Sequence, residues 1–325
     1  MNFFERTTLH ANSVKLFNAK LNEWISYMPS HFQCLGCIIM FPDLAMKMLN
    51  THMKTNTNSN KHIYLMSVLS ILRHKIEIIK HLTDTEIIDL HTKWKSIFSE
   101  NEKPIVERRL ENKPTDRQQA KGGHLLSFND IVAKRDELAS GSSERLLISM
   151  YTMIPPVRAD YFATQIVYDD EMPTERNYIR IRSGEDVECI LTDFKTAKTY
   201  KQITHKFPLC LIEELNESLR IKPRTYLFTN TKGEPYTRNA FVLWTRRCLT
   251  RLFETDFTLV FFRHAFITDF ITNKVTSETT DAEIKEISDK MGHSPEMFRG
   301  YKWIKSGAKG DLMLGSADAD AEEDE

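Results

Sequence analysis

A chain of 325 residues exceeds what one hydrophobic core usually organises, so more than one domain is expected. Hydrophobic residues at 41%, charged residues at 27% and only 11 Gly and 11 Pro exclude collagen-like and disordered chemistry. The formal net charge is -1, but Asp318, Asp320, Glu322, Glu323, Asp324 and Glu325 crowd the far end and leave a mildly basic body, compatible with a nucleic-acid partner without requiring one.

The segment MNFFERTTLHANS carries no secretory h-region, and five cysteines, an odd number, read as free thiols of a reducing compartment. Val14, Phe17, Leu21, Trp24, Ile25 and Met28 recur at helical spacing and predict a helix over 11–28. Cys34-Leu-Gly-Cys37 with His31 has zinc-like spacing, but no second CxxC or paired His follows. No metal is expected, and the two cysteines read as core thiols. The most apolar stretch, 34–48, is broken by Pro42, Asp43 and Lys47 and cannot span a bilayer. After the polar run 55–60 a second helix turns Tyr64, Leu65, Val68, Leu69, Leu72 and Ile76 inward; Asp84 or Thr85 caps a third, ending near Phe98. Residues 100–123 turn polar, with two prolines and a Gly pair, as a linker would. The expected domains are therefore 1–110, a linker over 111–123, a second domain over 124–315 and a solvated acidic tail over 316–325.

Beyond the linker, Ser127 or Asn129 caps a helix through Leu138, and the helix from Ser143 to Met153 stops at Pro155-Pro156. The period then changes: 162–168, 178–182, 187–191 and 200–207 are short runs rich in β-branched and aromatic residues, predicting a small antiparallel sheet. Helices return over 209–220, 238–253, 263–273, 281–291 and 295–303. The fold class is α+β, mainly helical.

Within the second domain Arg158, Lys195 or Lys198, Arg263, His293 and Tyr301 form an ordered series. Two arginines, a lysine, a histidine and a late tyrosine are what phosphodiester transfer through a covalent phosphotyrosine needs. Guanidinium forks neutralise the charge that builds on phosphorus, the imidazole adds a donor, the lysine protonates the departing sugar oxygen, and the phenol attacks. Arg247 and Arg251 share a helix face from which both could reach a DNA backbone; a solvated face is the alternative.

The segments Tyr151-Thr-Met-Ile-Pro-Pro-Val-Arg158, Phe194-Lys-Thr-Ala-Lys-Thr-Tyr200, Phe262-Arg-His-Ala-Phe-Ile-Thr268 and Met291-Gly-His-Ser294, followed by Tyr301, resemble the motifs of the tyrosine recombinase (phage-integrase) family. The flavour is similar to integrases of large DNA viruses and eukaryotic mobile elements. The resemblance covers about 125–305. It implies a two-domain DNA-breaking-rejoining fold whose helical N-terminal domain helps clamp double-stranded DNA. It further implies that Arg158 and Arg263 clamp the scissile phosphate, His293 donates to it, Lys195 is the general acid with Lys198 as competitor, and Tyr301 is the nucleophile that leaves a 3′-phosphotyrosyl link. Site-specific recombination or integration by a homotetramer on synapsed DNA, with no cofactor and no membrane, inside a DNA-containing reducing compartment, is the activity implied. Two alternatives are type IB topoisomerase-like nicking and resealing, and a catalytically impaired DNA-binding derivative. The second is motivated by Val260, which stands where the family usually has histidine. His264, four residues on, is the candidate substitute for that missing base.

Overall fold

The computed structural model describes residues 3–4, 9, 11–54, 57–74, 79–122, 126–182 and 186–302. Ile76, Trp303, the turn at 183–185 and the acidic tail lie outside the described residues. The chain separates into two compact units, one ending at Glu111 and the other beginning at Asn112.

The first unit is helical: α1 (Ala11–Tyr27), α2 (Leu35–Met40), α3 (Pro42–His52), α4 (Asn58–Arg73) and α5 (Asp84–Leu110). Its core centres on two indoles, Trp24 and Trp94, in edge-to-face contact at 5.7 Å. Each indole N–H is satisfied by a backbone carbonyl, Trp24 donating to Ala45 at 2.9 Å and Trp94 to Ile39 at 3.0 Å. Thr83 and Glu86 close a capping box at the start of α5. This helix runs to Leu110, so 100–110, read above as polar linker, is helical. Pro104 removes one ladder bond, but Glu102, Lys103, Glu107, Arg108 and Arg109 near it are good helix formers, and tertiary contacts hold the segment. Asn101 donates to the Asn58 carbonyl at 2.9 Å, and Glu102 meets His62 at 2.7 Å.

The second unit contains α6 (Asp116–Lys121), α7 (Phe128–Glu137), α8 (Ser143–Thr152), β1 (Gln165–Tyr168), β2 (Asn177–Arg182), β3 (Asp186–Leu191), α9 (Ala197–Tyr200), β4 (Ile203–Lys206), α10 (Leu209–Ile221), α11 (Arg238–Phe253), α12 (Leu259–Asn273), α13 (Asp281–Lys290) and α14 (Pro295–Arg299). The fold class is the expected mainly helical α+β, with a four-stranded sheet in the order β1-β2-β3-β4. The sheet is mixed rather than antiparallel. β2, β3 and β4 pair antiparallel, but β1 lies parallel to β2. The Asp169-Asp170 turn does not make a hairpin: after Asp169, at φ 45°, the chain runs back alongside β1 before starting β2. The return leg is tied to β1 through Gln165, whose Oε1 accepts from the Thr174 and Glu175 amides at 2.8 and 3.1 Å. Short runs of β-branched residues carry no directional signal, so this reversal was invisible to pattern reading.

His205 lies on β4 opposite Cys189 and is 2% exposed. Burial, then the nearby Lys290 charge, pulls its pKa down to about 4. The unfolded imidazole, near pKa 6.5, binds a proton that the folded ring refuses, so this contribution to stability is whole above about pH 6.5 and is lost as pH falls toward 4. Melting temperature should therefore drop across that window, with each such histidine adding about 1.4 kcal/mol per pH unit. A thermal series on His205→Gln should show a shallower slope; the wild-type slope in that variant would remove His205 from the account.

Candidate active site

α12 places Arg263 and His264 in adjacent buried positions, 1% and 8% exposed, on a helix that is apolar nearly all round. A buried guanidinium must find acceptors or a counter-ion. The Arg263 Nη1 donates to the carbonyls of Pro156 at 2.9 Å and Met291 at 3.0 Å. One side chain thus joins the Pro-Pro turn before Arg158 to the turn after α13. Its Nε and Nη2, which share the opposite edge of the fork, are buried and meet no carbonyl or carboxylate among the described residues, while the Tyr301 phenol lies beside the guanidinium. Burial pulls the Arg263 pKa down from its ordinary value, and the nearby Tyr301 phenol opposes that shift.

The turn Met291-Gly292-His293 is the hub. Gly292 sits at φ 67°, and a Cβ there would lie 3.1 Å from the Ile203 side chain and 3.3 Å from the Thr196 hydroxyl. Its carbonyl accepts from Thr196 Oγ1 at 2.8 Å and from Arg158 Nη1 at 3.4 Å. Arg158 is held from behind as well: its amide donates to Asp160 at 3.1 Å, and the other oxygen of that carboxylate accepts from Arg238 at 2.9 Å. Asp160 is 2% exposed; burial raises its pKa, and the Arg238 and Arg158 charges draw it back.

His293 is 3% exposed, and its Nδ1 donates to the Ser294 carbonyl at 3.2 Å. That bond leaves the lone pair on Nε2, which is buried without a partner among the described residues. Burial first, then the Arg263 charge, depresses the His293 pKa to about 3, so the ring is neutral at physiological pH.

Tyr301 follows α14 and enters this cluster. Its ring stacks on His293 with centroids 5.5 Å apart and planes at 8°, meets the His264 ring at 4.6 Å, and lies 5.2 Å from the Arg263 guanidinium carbon. The segment is anchored by its backbone. His264 Nδ1 donates to the Tyr301 carbonyl at 2.7 Å, and Asn112, with its amide nitrogen facing the helix end, donates to the Arg299 and Lys302 carbonyls at 3.2 and 3.1 Å. His264 Nε2 faces the Gln118 amide at 3.5 Å. Burial lowers the His264 pKa to about 4. His264 thus holds the Tyr301 backbone through Nδ1 while its Nε2 faces the Gln118 amide. Val260, one turn earlier on α12, is 45% exposed.

Tyr301, Arg263, His293 and His264 are thus brought together, and Arg158 joins them through Gly292. Lys195 and Lys198 are not in the cluster. Both are exposed in the β3–β4 connection, and among the described residues neither makes a hydrogen bond or ion pair with it. Lys195 lies between Phe194 and Thr196, which both pack on Gly292; Lys198 lies further on, in α9. Arg247 and Arg251 are exposed on α11, Arg247 bonding the Leu243 carbonyl of its own helix and Arg251 pairing with Glu144 at 2.9 Å. Sequence reading missed Thr196, Asp160, Arg238 and Gln118. Only Gln118 carried a legible local signal, the Thr115-x-x-Gln118 capping pattern that opens α6 inside the expected linker.

No family model matches this chain, and no curated protein matches it. Among solved structures, the crystal structure of XerA recombinase is similar over 94% of this chain and 91% of its own, at 14% identity and a TM-score of 0.41.

Proposed function

We propose that this chain is a DNA strand transferase that cuts and rejoins double-stranded DNA through a covalent 3′-phosphotyrosyl intermediate, with Tyr301 as nucleophile. The observation that carries this reading is the Nε/Nη2 edge of Arg263, a buried bidentate donor pair that, among the described residues, has the Tyr301 phenol beside it and no carbonyl or carboxylate acceptor. Non-bridging oxygens of a phosphodiester supply the acceptors that this edge lacks, and the fork matches their spacing. Arg158 adds a second guanidinium. An anion between the two arginines also cancels part of the field that depresses the His293 pKa, so the ring can take up a proton and donate from Nε2. In the proposed step the Tyr301 oxygen bonds to phosphorus and loses its proton to solvent water, while the bond to the 5′ oxygen breaks. That oxygen leaves with the electron pair and receives a proton from Lys195, favoured over Lys198 because its two neighbours pack on the Gly292 turn. Rejoining is the same step run by a 5′-hydroxyl.

The N-terminal helical unit, 1–110, is assigned to DNA binding together with Arg247 and Arg251, and exchange between two duplexes is assigned to four protomers. The decisive experiment incubates the wild-type protein with a nicked suicide duplex and maps any denaturation-resistant adduct by peptide mass. A 3′-phosphate link on the Tyr301 peptide is expected. Retained DNA binding with no adduct on any substrate would instead favour the binding-only derivative. Joining of two marked duplexes separates recombination from supercoil relaxation by a topoisomerase-like activity.

A slow enzyme is favoured, since the ordinary position of the base is occupied by Val260. Val260→His is expected to raise the single-turnover cleavage rate by about 10-fold to 100-fold. An unchanged rate would place proton removal from the phenol on another group.

A further inference from the structure

Cys34 and Cys37 take no part in the site above. Their sulfur atoms are 3.0 Å apart, and the Cys37 backbone N–H donates to Cys34 Sγ at 3.2 Å. Cys34 is exposed and Cys37 partly so, which corrects the expectation of core thiols. Among the described residues no third His, Cys, Asp or Glu joins them in a group able to hold a metal ion. Two accessible thiols already in contact, with no third ligand among the described residues, are placed for two-electron oxidation to a disulfide.

We infer that Cys34 and Cys37 form a reversible intramolecular disulfide, a modification site in the N-terminal unit whose co-reactant is a small disulfide of the glutathione class. The order of events follows from the contacts. The Cys37 amide donates to Cys34 Sγ, and the contact with Cys34, then burial, holds the Cys37 thiol pKa up, while Cys34 is the more exposed of the two. Cys34 therefore attacks first: its thiolate bonds to one sulfur of glutathione disulfide and expels one glutathione thiolate. Cys37 then loses its proton to solvent and attacks Cys34 Sγ, expelling the second glutathione. The sum is one dithiol and one glutathione disulfide giving one protein disulfide and two glutathiones.

Closing the bond requires the sulfurs to approach by about 1 Å, toward the usual S–S length near 2.05 Å. The body of α2 stays in place. Leu35, Ile38 and Ile39 are buried, and the Ile39 carbonyl is held by the Trp94 indole, so the movement is confined to the first turn. Cys210 supplies an internal control, being exposed but without a neighbouring thiol, while Cys189 and Cys248 are buried.

The test equilibrates the full chain in mixtures of reduced and oxidised glutathione, quenches with acid, alkylates and maps the peptides. The expected result is a Cys34–Cys37 peptide that has lost two hydrogens and resists alkylation, restored by dithiothreitol, while Cys210 carries glutathione only. Cys37→Ser should accumulate glutathione on Cys34, and Cys34→Ser should lose the cross-link without loading Cys37 at a comparable rate. The inference is overturned if both thiols of the pair alkylate under conditions that glutathionylate Cys210, or if the wild-type pair carries two glutathiones. The wild-type result decides this even where a serine variant fails to fold.

Discussion

Tyr301→Phe should yield no covalent DNA adduct on a suicide duplex while binding the same duplex with wild-type affinity. The substitution removes one oxygen and keeps the ring that stacks on His293 and meets His264, and the backbone anchors from His264 and Asn112 do not involve the phenol. Packing is therefore preserved and what is lost is the phenol oxygen, the proposed nucleophile and a neighbour of Arg263, so the expected fall in cleavage is complete to the limit of detection. Thermal melting of the variant within a few degrees of wild type would show that the loss is chemical. An adduct at wild-type yield in the variant would take the assigned role away from Tyr301 and turn attention to other hydroxyls near the two arginines.

Arg263→Lys should lower single-turnover cleavage by about 10²- to 10³-fold, the cost of removing a preorganised donor from a developing oxyanion. Lysine keeps the charge but not the geometry. Arginine holds the Pro156 and Met291 carbonyls with Nη1 and leaves a second edge for a ligand; a single ammonium cannot do both. The Pro156 and Met291 turns lose part of their common anchor, so a lower melting temperature is expected, of the order of one lost charge-assisted hydrogen bond, about 1.5–3 kcal/mol. Equilibrium binding to uncut DNA should change less than the rate, because the edge is engaged most strongly when charge builds on phosphorus. Cleavage within a few-fold of wild type would mean that the buried edge faces no reacting phosphate.

The sequence made the helices with clear stripes legible, because Leu21 and Trp24 on α1 and Leu65, Val68 and Leu72 on α4 recur at the period of a buried face, although the cap of α5 is Thr83 rather than the expected Asp84 or Thr85. It misplaced the end of α5, since a polar run containing Pro104 looks like linker until Asn101 and Glu102 are seen bonded to α4. It also missed the direction of β1, which depends on a left-handed residue and a glutamine that binds the returning chain rather than on any periodicity. In the site, the residues of unusual chemistry, Arg158, Arg263, His293 and Tyr301, were readable as a series. What holds them was not: Thr196, Asp160 and Arg238 act through single backbone or carboxylate contacts, which leave no pattern along the chain. The place of Lys195 and Lys198 outside the cluster has the same origin, since a long flexible side chain on an exposed connection is not fixed by its neighbours in sequence.

Because one carbonyl oxygen on Gly292 receives both the Thr196 hydroxyl and the Arg158 guanidinium, neither donor can be altered in isolation. Thr196→Val frees that oxygen for Arg158 alone, while Arg158→Lys shifts the load onto the hydroxyl. The energetic consequences of the pair should then depart from the sum of the single changes, a coupling that a double-mutant cycle on binding or cleavage would read directly. The β3–β4 connection and the first arginine would then behave as one thermodynamic unit, with a change at Thr196 felt at Arg158.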